Sequence, residues 1–302
     1  MMTSEPEFVT KYLDRIGLDP AMFDPSTPRD YQLLSRLSEA HLSSIPFENL
    51  SQHGGYGGPV QLDMKWISDK ILDRKRGGFC LELNALFAAF LEAWGFKVAI
   101  VPAIVYNSDD GGFEHPPSHI ILLVTLPTDG GPHSYFVDVG FGEPPCQPLV
   151  YEFEKVQITS EGMASRLMEN DGKVSLDWFK DKEWRPRLQW NLEDGSRSRS
   201  IEELSELLDR VYSPDSIFSR KLIVCRLLRD QKLTLAGDKL KVTGPPRYTN
   251  DTETVNVKIT QLDSKQGIRD ALAKQFGIPL DETKNLDVEQ IVKQDPKLFA
   301  QF

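Results

Sequence analysis

The spacing of apolar residues changes abruptly at Gly95, and this change constrains the class of fold. Residues 80–94 place apolar side chains on one helical stripe, which predicts an amphipathic helix with Gly95 as its left-handed cap. Beyond it, residues 97–106, 119–126 and 134–141 are β-branched and aromatic runs separated by turn residues, a pattern typical of strands. Helices followed by antiparallel strands predict an α+β fold.

Three domains are predicted from these patterns. Residues 1–96 form a mainly helical domain, residues 97–200 an antiparallel β-barrel, and residues 201–302 a mixed α/β domain. Within the last part, the predicted elements are a helix at 201–211, strands at 220–228 and 233–242, and a helix at 267–276.

Composition excludes several functions. The formal net charge of −10 and pI near 5.1 argue against a general surface for nucleic acid or acidic membranes. The three cysteines show no paired spacing, which argues against a disulfide framework or a zinc site and favours a reducing compartment. Residues 1–17 lack the organisation of a signal peptide, and the longest apolar runs suit buried strands. We therefore expect a cytoplasmic protein.

A glycine-rich segment at 52–59 is predicted to be a loop. It lacks the Gly-Lys-Ser/Thr ending of a phosphate-binding loop and runs into a proline.

Cys80 is the candidate nucleophile because it stands at the predicted start of the 80–94 helix. The amides and dipole of a helix N-terminus stabilise a thiolate, and Gly77 and Gly78 allow a sharp turn and close substrate approach. The alternative is a buried, inert cysteine. Cys146 and Cys225 are predicted to be structural.

A thiolate nucleophile needs a base and a residue that orients the base. Of the five histidines, His119 is favoured because it begins an apolar strand, although a core histidine is the alternative. Asp138 interrupts the apolar run 135–141, where a carboxylate requires a partner. That partner is His119 or another donor, since the hairpin register that decides it is not fixed by the sequence.

The segments RGGFCLELN, SHIILL and YFVDVGFG, which contain Cys80, His119 and Asp138 in this order, strongly resemble the arylamine N-acetyltransferases. The resemblance extends from residues 12–16 and 45–50 to residues 276–278, and favours a fungal or eukaryotic-like member. It implies a helical bundle, a β-barrel and an α/β lid around a core similar to that of Cys-His-Asp transglutaminases and papain-like proteases.

The resemblance also implies a ping-pong reaction. Cys80 would take an acetyl or other short acyl group from acetyl-CoA, propionyl-CoA or malonyl-CoA. An arylamine, arylhydroxylamine or arylhydrazine would then receive it. His119 would act as base and Asp138 as its orienting partner, with no metal and no permanently bound cofactor. The protein would be a monomer or weak homo-oligomer. It would act in the detoxification of xenobiotics or in a biosynthetic step.

Further roles follow from the same resemblance. Arg76 and Glu48 are expected to form an ion pair that supports the active-site loop. Glu82 and Asn84 are expected to satisfy backbone groups at the helix start. Phe141, Gly142 and Tyr106 are expected to bind the acceptor.

Two departures from the family bear on the acyl donor. The segment 212–218 lacks the Thr-His pair often found before its proline in bacterial relatives, so Ser213 and Ser216 are not assigned to CoA. Glu143 is acidic close to the expected pocket and would repel the free carboxylate of malonyl-CoA. We therefore expect acetyl-CoA or propionyl-CoA to be preferred over malonyl-CoA.

Two other functions are compatible with the same residues. A cysteine hydrolase or transglutaminase would act on peptide or glutamine substrates without CoA. A non-catalytic binding homologue would keep the fold alone, but an intact Cys-His-Asp set argues against it.

Overall fold

The computed structural model describes residues 5–22, 26–54, 61–107, 111–113, 115–180, 182–196, 198–214, 216–244 and 256–287. The α-helices in these ranges are α1 (Glu5–Arg15), α2 (Tyr31–Ser44), α3 (Met64–Ser68), α4 (Cys80–Ala93), α5 (Glu206–Val211), α6 (Ile217–Arg220) and α7 (Lys265–Phe276). The strands are β1 (Phe47–Glu48), β2 (Lys97–Val105), β3 (His119–Leu126), β4 (His133–Val137), β5 (Leu149–Val150), β6 (Gln157–Ile158), β7 (Ala164–Asn170), β8 (Lys173–Lys180), β9 (Glu183–Asn191), β10 (Ile223–Leu227), β11 (Lys232–Ala236), β12 (Lys239–Thr243) and β13 (Val257–Gln261). The glycine-rich loop lies largely outside the described residues.

Helix α4 is the centre of the N-terminal part. It spans Cys80–Ala93 as predicted, and Gly95 has a φ of +90°, the left-handed conformation expected after a helix. More of α4 is buried than its apolar stripe predicted, because the polar residues Glu82 and Asn84 are also fully buried. On one side Tyr12 of α1 stacks on Phe90, with ring centroids 3.9 Å apart. On another side α4 packs against β2 and β3.

The larger sheet forms a nearly closed antiparallel barrel with strand order β5-β4-β3-β2-β9-β8-β7-β6. Its apolar interior includes Leu123, Phe136 and Trp190. The predicted strand through Phe141 is too long, because β4 ends at Val137. The following residues leave the sheet because they bind α4 instead of a neighbouring strand.

The smaller sheet has the order β1-β10-β11-β12-β13, and α7 packs on it through Ile268, Leu272 and Phe276. The predicted strand region at 233–242 is a hairpin of two strands that turns at Gly237, whose φ is +60°. The predicted helix at 201–211 consists of a 3₁₀ turn, Glu202–Leu204, followed by α5. Strand β1 comes from the N-terminal part, so this sheet joins two of the predicted domains; their boundaries stay predictions.

No helix within the described ranges is long and apolar enough to cross a membrane.

Candidate active site

Cys80 is the first residue of α4, and its side chain is buried. The loop before it packs directly on the segment that contains β1. A Cβ atom on Gly77 would lie 2.0 Å from the carbonyl oxygen of Pro46, and Gly78 forms a parallel bridge with Phe47. Neither Gly77 nor Gly78 has a positive φ. Gly77 is therefore required by close packing against the Pro46 backbone, and Gly78 by packing against the Glu82 side chain, which would lie 2.9 Å from an added Cβ. The predicted role of both glycines in substrate approach stays a prediction.

His119 begins β3, and its Nε2 atom lies 2.7 Å from Oδ2 of Asp138. The register of the β3–β4 hairpin explains this contact. Leu122 pairs with Val137, so the chain after β4 returns alongside the start of β3. Both side chains are almost fully buried. Of the predicted alternatives, His119 is thus a partner of Asp138, although other donors also bind the second oxygen of this carboxylate.

Asn84 fixes the carboxylate of Asp138 from the other side. Its Nδ2 atom donates to Asp138 Oδ1 at 2.9 Å and to the carbonyl of Ile120 at 2.8 Å, and its Oδ1 accepts from the amide of Val139 at 2.9 Å. The expectation that Asn84 serves the helix start is wrong. It stands one turn after Cys80, on the same helix face, and that spacing could have indicated a role beside the cysteine.

Glycine is again required where the Asp138 turn meets α4. A Cβ atom on Gly140 would lie 2.8 Å from Cys80 Cα, and the Gly140 amide donates to Asp138 Oδ1 at 2.8 Å. The turn therefore lies directly against the helix start that carries Cys80.

The charges around His119 favour its protonated form. Burial by itself lowers the pKa of His119, but the Asp138 carboxylate and contact with the Cys80 side chain raise it to about 10. Because Nε2 is bound to Asp138, Nδ1 is the ring nitrogen that remains for a contact with the Cys80 side chain. When the ring is neutral, the aspartate keeps the remaining proton on Nε2, because its carboxylate accepts from that nitrogen. The Cys80 sulfur also lies 3.7 Å from the carbonyl oxygen of Ser118.

Arg76 and Glu48 form a fully buried ion pair, with Nε–Oε1 2.9 Å and Nη2–Oε2 3.1 Å. Glu48 also accepts from the amide of Leu50 at 2.6 Å. Burial alone would raise the pKa of Glu48, but Arg76 and then Lys70 hold it below its ordinary value. The pair ties the loop before Cys80 to the segment that contains β1.

Asn49, the next residue, joins the same segment to the smaller sheet. Its side chain donates to the carbonyls of Phe218 and Lys221 at 2.8 and 2.7 Å and accepts from the amide of Ile223 at 2.8 Å. Residues 45–50 thus connect the loop before Cys80 to the smaller sheet and the residues just before β10.

The three residues predicted to bind the acceptor lie in different surroundings. The Phe141 ring lies 5.3 Å from the His119 ring, and the Arg187 guanidinium lies 4.9 Å from the centroid of the Phe141 ring. Gly142, with a φ of +79°, lines a small cavity together with Cys225. Tyr106 donates its amide to the Arg187 carbonyl at 2.9 Å. Of the three, Phe141 is the one whose ring contacts His119.

Glu143 is not an isolated negative charge. Its Oε2 atom lies 2.7 Å from Nζ of Lys232, which is almost fully buried. The expected repulsion of a malonyl carboxylate therefore loses its basis, because Lys232 compensates the charge of Glu143. The sequence could not indicate this pairing, since the partners are 89 residues apart.

Cys225, His41 and His53 make their side-chain contacts outside this arrangement. Cys225 is buried in β10 beside Thr234, and burial raises the pKa of its thiol. His41 is buried against the hydroxyl of Tyr12, and burial lowers its pKa to about 3. His53 binds the carbonyl of Phe218.

A family model described as N-acetyltransferase matches residues 30–285, which defines the class of enzyme. An arylamine N-acetyltransferase of Mycolicibacterium smegmatis is 32% identical over 287 residues, covering 94% of this chain and 96% of the relative. A solved arylamine N-acetyltransferase of M. smegmatis matches with a TM-score of 0.78, at 29% identity and over 95% of this chain and 98% of that one. The arylamine N-acetyltransferase of Mycobacterium marinum, solved in complex with CoA, matches with a TM-score of 0.76, at 26% identity and over 94% and 96% of the two chains.

This chain belongs to the arylamine N-acetyltransferase family, as its motifs predicted. Its closeness to fungal or other eukaryotic members stays a prediction.

Proposed function

We propose that this arylamine N-acetyltransferase works by a ping-pong reaction through an acyl thioester on Cys80, with His119 as the base and Asp138 as its orienting residue. The observation that carries the proposal is the chain of contacts from Asp138 through His119 to Cys80. Asp138 binds Nε2 of the imidazole, which leaves Nδ1 to exchange the proton with the sulfur in the proposed reaction.

In the first half-reaction, His119 holds the proton of Cys80, and the thiolate attacks the carbonyl carbon of acetyl-CoA. The new carbon–sulfur bond forms as the bond to the CoA sulfur breaks, and CoA leaves with the proton from His119. The oxyanion of the tetrahedral intermediate would be stabilised by amides at the start of α4. The exchange of one thioester for another is nearly balanced in energy.

In the second half-reaction, the nitrogen of the arylamine attacks the acetyl-Cys80 carbonyl. His119 accepts the proton lost by the nitrogen, the bond from carbon to the Cys80 sulfur breaks, and the amide leaves. An aniline is neutral at pH 7, so its lone pair is available. We assign Phe141 to the aromatic ring of the acceptor, because it lies against His119, and Gly142 and Tyr106 to the surrounding pocket.

Intact-protein mass spectrometry tests the proposal. The protein incubated with acetyl-CoA is expected to gain the mass of one acetyl group, which is lost when an arylamine is added. No mass gain from acetyl-, propionyl- or malonyl-CoA would contradict the acyl-enzyme. A stable CoA complex without acylation would favour a non-catalytic binding homologue. Reaction with peptide or glutamine substrates would favour a cysteine hydrolase or transglutaminase.

The ion pair of Glu143 and Lys232 gives a prediction about the acyl donor. In Glu143→Gln, the buried Lys232 ammonium loses the carboxylate 2.7 Å away. A terminal carboxylate on the acyl group can then take its place, so the ratio of kcat/KM for malonyl-CoA to that for acetyl-CoA is expected to rise about tenfold. Steady-state kinetics with both donors and one arylamine measure this ratio.

Lys232→Gln is the matched control for the donor experiment. It leaves Glu143 without this cation and is expected to lower the same ratio. An unchanged or reduced ratio in Glu143→Gln would show that the pair does not face the acyl group.

A reducing compartment such as the cytoplasm is proposed for this enzyme, which is consistent with the three free, buried cysteines. We propose a monomer or weak homo-oligomer, which sedimentation velocity would establish.

A further inference from the structure

Lys70 is a lysine that the structure buries almost completely, with 2% of its surface exposed. It lies in a π-helical turn, Asp69–Asp73, that directly follows α3, a kind of irregularity often found at functional sites. Its Nζ atom donates to both carboxylate oxygens of Glu82 at 2.8 Å and lies 3.7 Å from Glu48. Burial of a lysine is costly unless its charge is paired in this way.

Glu82 connects this lysine to the nucleophile. Its Oε2 atom accepts from the amide of Phe79, the residue before Cys80, at 3.1 Å. The carboxylate also lies against Gly78, where an added Cβ would come within 2.9 Å of it. The orientation of the first turn of α4 therefore depends on where the Glu82 carboxylate is held.

The charges in this interior cluster are balanced. Its most deeply buried cations are Lys70 and Arg76 and its most deeply buried anions are Glu48 and Glu82, none of them more than 2% exposed. Glu282, which lies 3.6 Å from Arg76 at the edge of the cluster, is itself paired with Arg74. Burial raises the pKa of the Glu82 carboxyl, and the charge of Lys70 is the strongest influence opposing that rise. Removing one member leaves an uncompensated charge in the protein interior, which is strongly unfavourable.

We propose that Lys70 is a positioning residue for Cys80: its ammonium fixes the Glu82 carboxylate, which in turn fixes the backbone of Phe79 and the start of α4. This inference rests on the proposed role of Cys80 as the acyl carrier. Lys70 is enclosed by protein and does not contact the substrate. Its loss should therefore slow acyl transfer to Cys80 without weakening the binding of acetyl-CoA.

The experiment compares Lys70→Gln, Glu82→Gln and the double variant with the wild-type protein. Lys65→Gln is the matched control, because Lys65 is an exposed lysine in α3, close by in the sequence. Rapid quench followed by intact mass gives the rate of acetyl-Cys80 formation at saturating acetyl-CoA and the half-saturating concentration. Circular dichroism gives the folded fraction of each protein.

Lys70→Gln is expected to slow acylation about tenfold or more, with the half-saturating concentration within about twofold of wild type. The double variant is expected to recover most of the rate, because its two neutral amides can bind each other and the side chain at position 82 keeps an oxygen for the Phe79 amide. A structural role alone would not give this combination of an altered rate constant, unaltered binding and recovery. Lys65→Gln should match the wild type.

The proposal is overturned if folded Lys70→Gln acylates at the wild-type rate, or if its defect lies in the half-saturating concentration. Should Lys70→Gln fail to fold, Glu82→Gln and the double variant decide, since the former leaves Lys70 without its nearest carboxylate. The double variant must then form acetyl-Cys80 faster than Glu82→Gln does. Equal acylation rates in these two variants would refute the role of Lys70. Failure of the wild-type protein to form acetyl-Cys80 would instead refute the proposed function.

Discussion

Cys80→Ala is expected to abolish the acetyl adduct and to lower arylamine acetylation by at least about 10⁴-fold. The variant removes the only atom that accepts the acyl group in the proposed reaction, whereas the fold loses one small buried side chain. Intact mass after incubation with acetyl-CoA and a colorimetric arylamine assay measure the two effects. Thermal unfolding should show that the protein remains folded.

Cys146→Ala is the matched control for Cys80→Ala. Cys146 is also a free, buried cysteine, but it lies in the loop after Gly142 and donates its amide to Glu161. This variant should still gain one acetyl group. An adduct that persists in Cys80→Ala and disappears in Cys146→Ala would show that our proposal assigns the acyl group to the wrong sulfur.

Asp138→Asn is expected to lower the rate of acylation by about 10³- to 10⁴-fold. Asp138 accepts from His119 Nε2 at 2.7 Å and is itself held by Asn84 and the amide of Gly140. An asparagine keeps the shape, but it can present an N–H to the imidazole, which favours the wrong tautomer and removes the charge that stabilises imidazolium. Single-turnover acylation with acetyl-CoA measures the loss.

Asp177→Asn provides the control for Asp138→Asn. Asp177 is another largely buried aspartate, in β8, and it binds Arg166 and Ser175 away from His119. The Asp177→Asn variant should have a lower free energy of unfolding than the wild type but nearly the same acylation rate. If both variants lost acylation rate equally, the effect of Asp138→Asn would come from a general disturbance of the barrel and not from its contact with His119.

The wild-type protein and Asp138→Asn should also differ in how stability depends on pH. The pKa of His119 is raised from 6.5 to about 10 in the folded protein. Its contribution to stability is therefore complete below about pH 6.5 and is lost as the pH rises through about 10. Asp138→Asn removes most of this contribution. The difference in free energy of unfolding between wild type and variant should shrink across that range, as measured by denaturant titration.

Local sequence patterns were enough to predict the elements that carry the site. The helix from Cys80 and the strand from His119 begin where the apolar periodicity places them. The predicted end of the third strand was wrong because hydrogen bonds to a residue distant in the sequence outweighed the local preference for strand. Strand β4 stops at Val137 because the next residues bind Asn84, more than 50 positions away in the chain.

Motif resemblance predicted the family, but not the physical reasons for its residues. Gly77 and Gly140 are glycines because the backbone of Pro46 and of Cys80 leaves no space for a side chain. From the sequence, Glu143 was expected to repel an acyl carboxylate, but in the fold it forms an ion pair with Lys232. Charge balance in an interior depends on which side chains meet, and sequence spacing does not contain that information.

By itself, the sequence determined the α+β class, the position of Cys80 at a helix start and the enzyme family, since periodicity and short motifs act over a few neighbouring residues. Only the tertiary structure decided which histidine nitrogen faces Asp138, that Asn84 holds that carboxylate, and that Lys70 binds Glu82 in the interior. These pairings depend on hairpin register and on packing between distant segments, where buried polar groups must find partners.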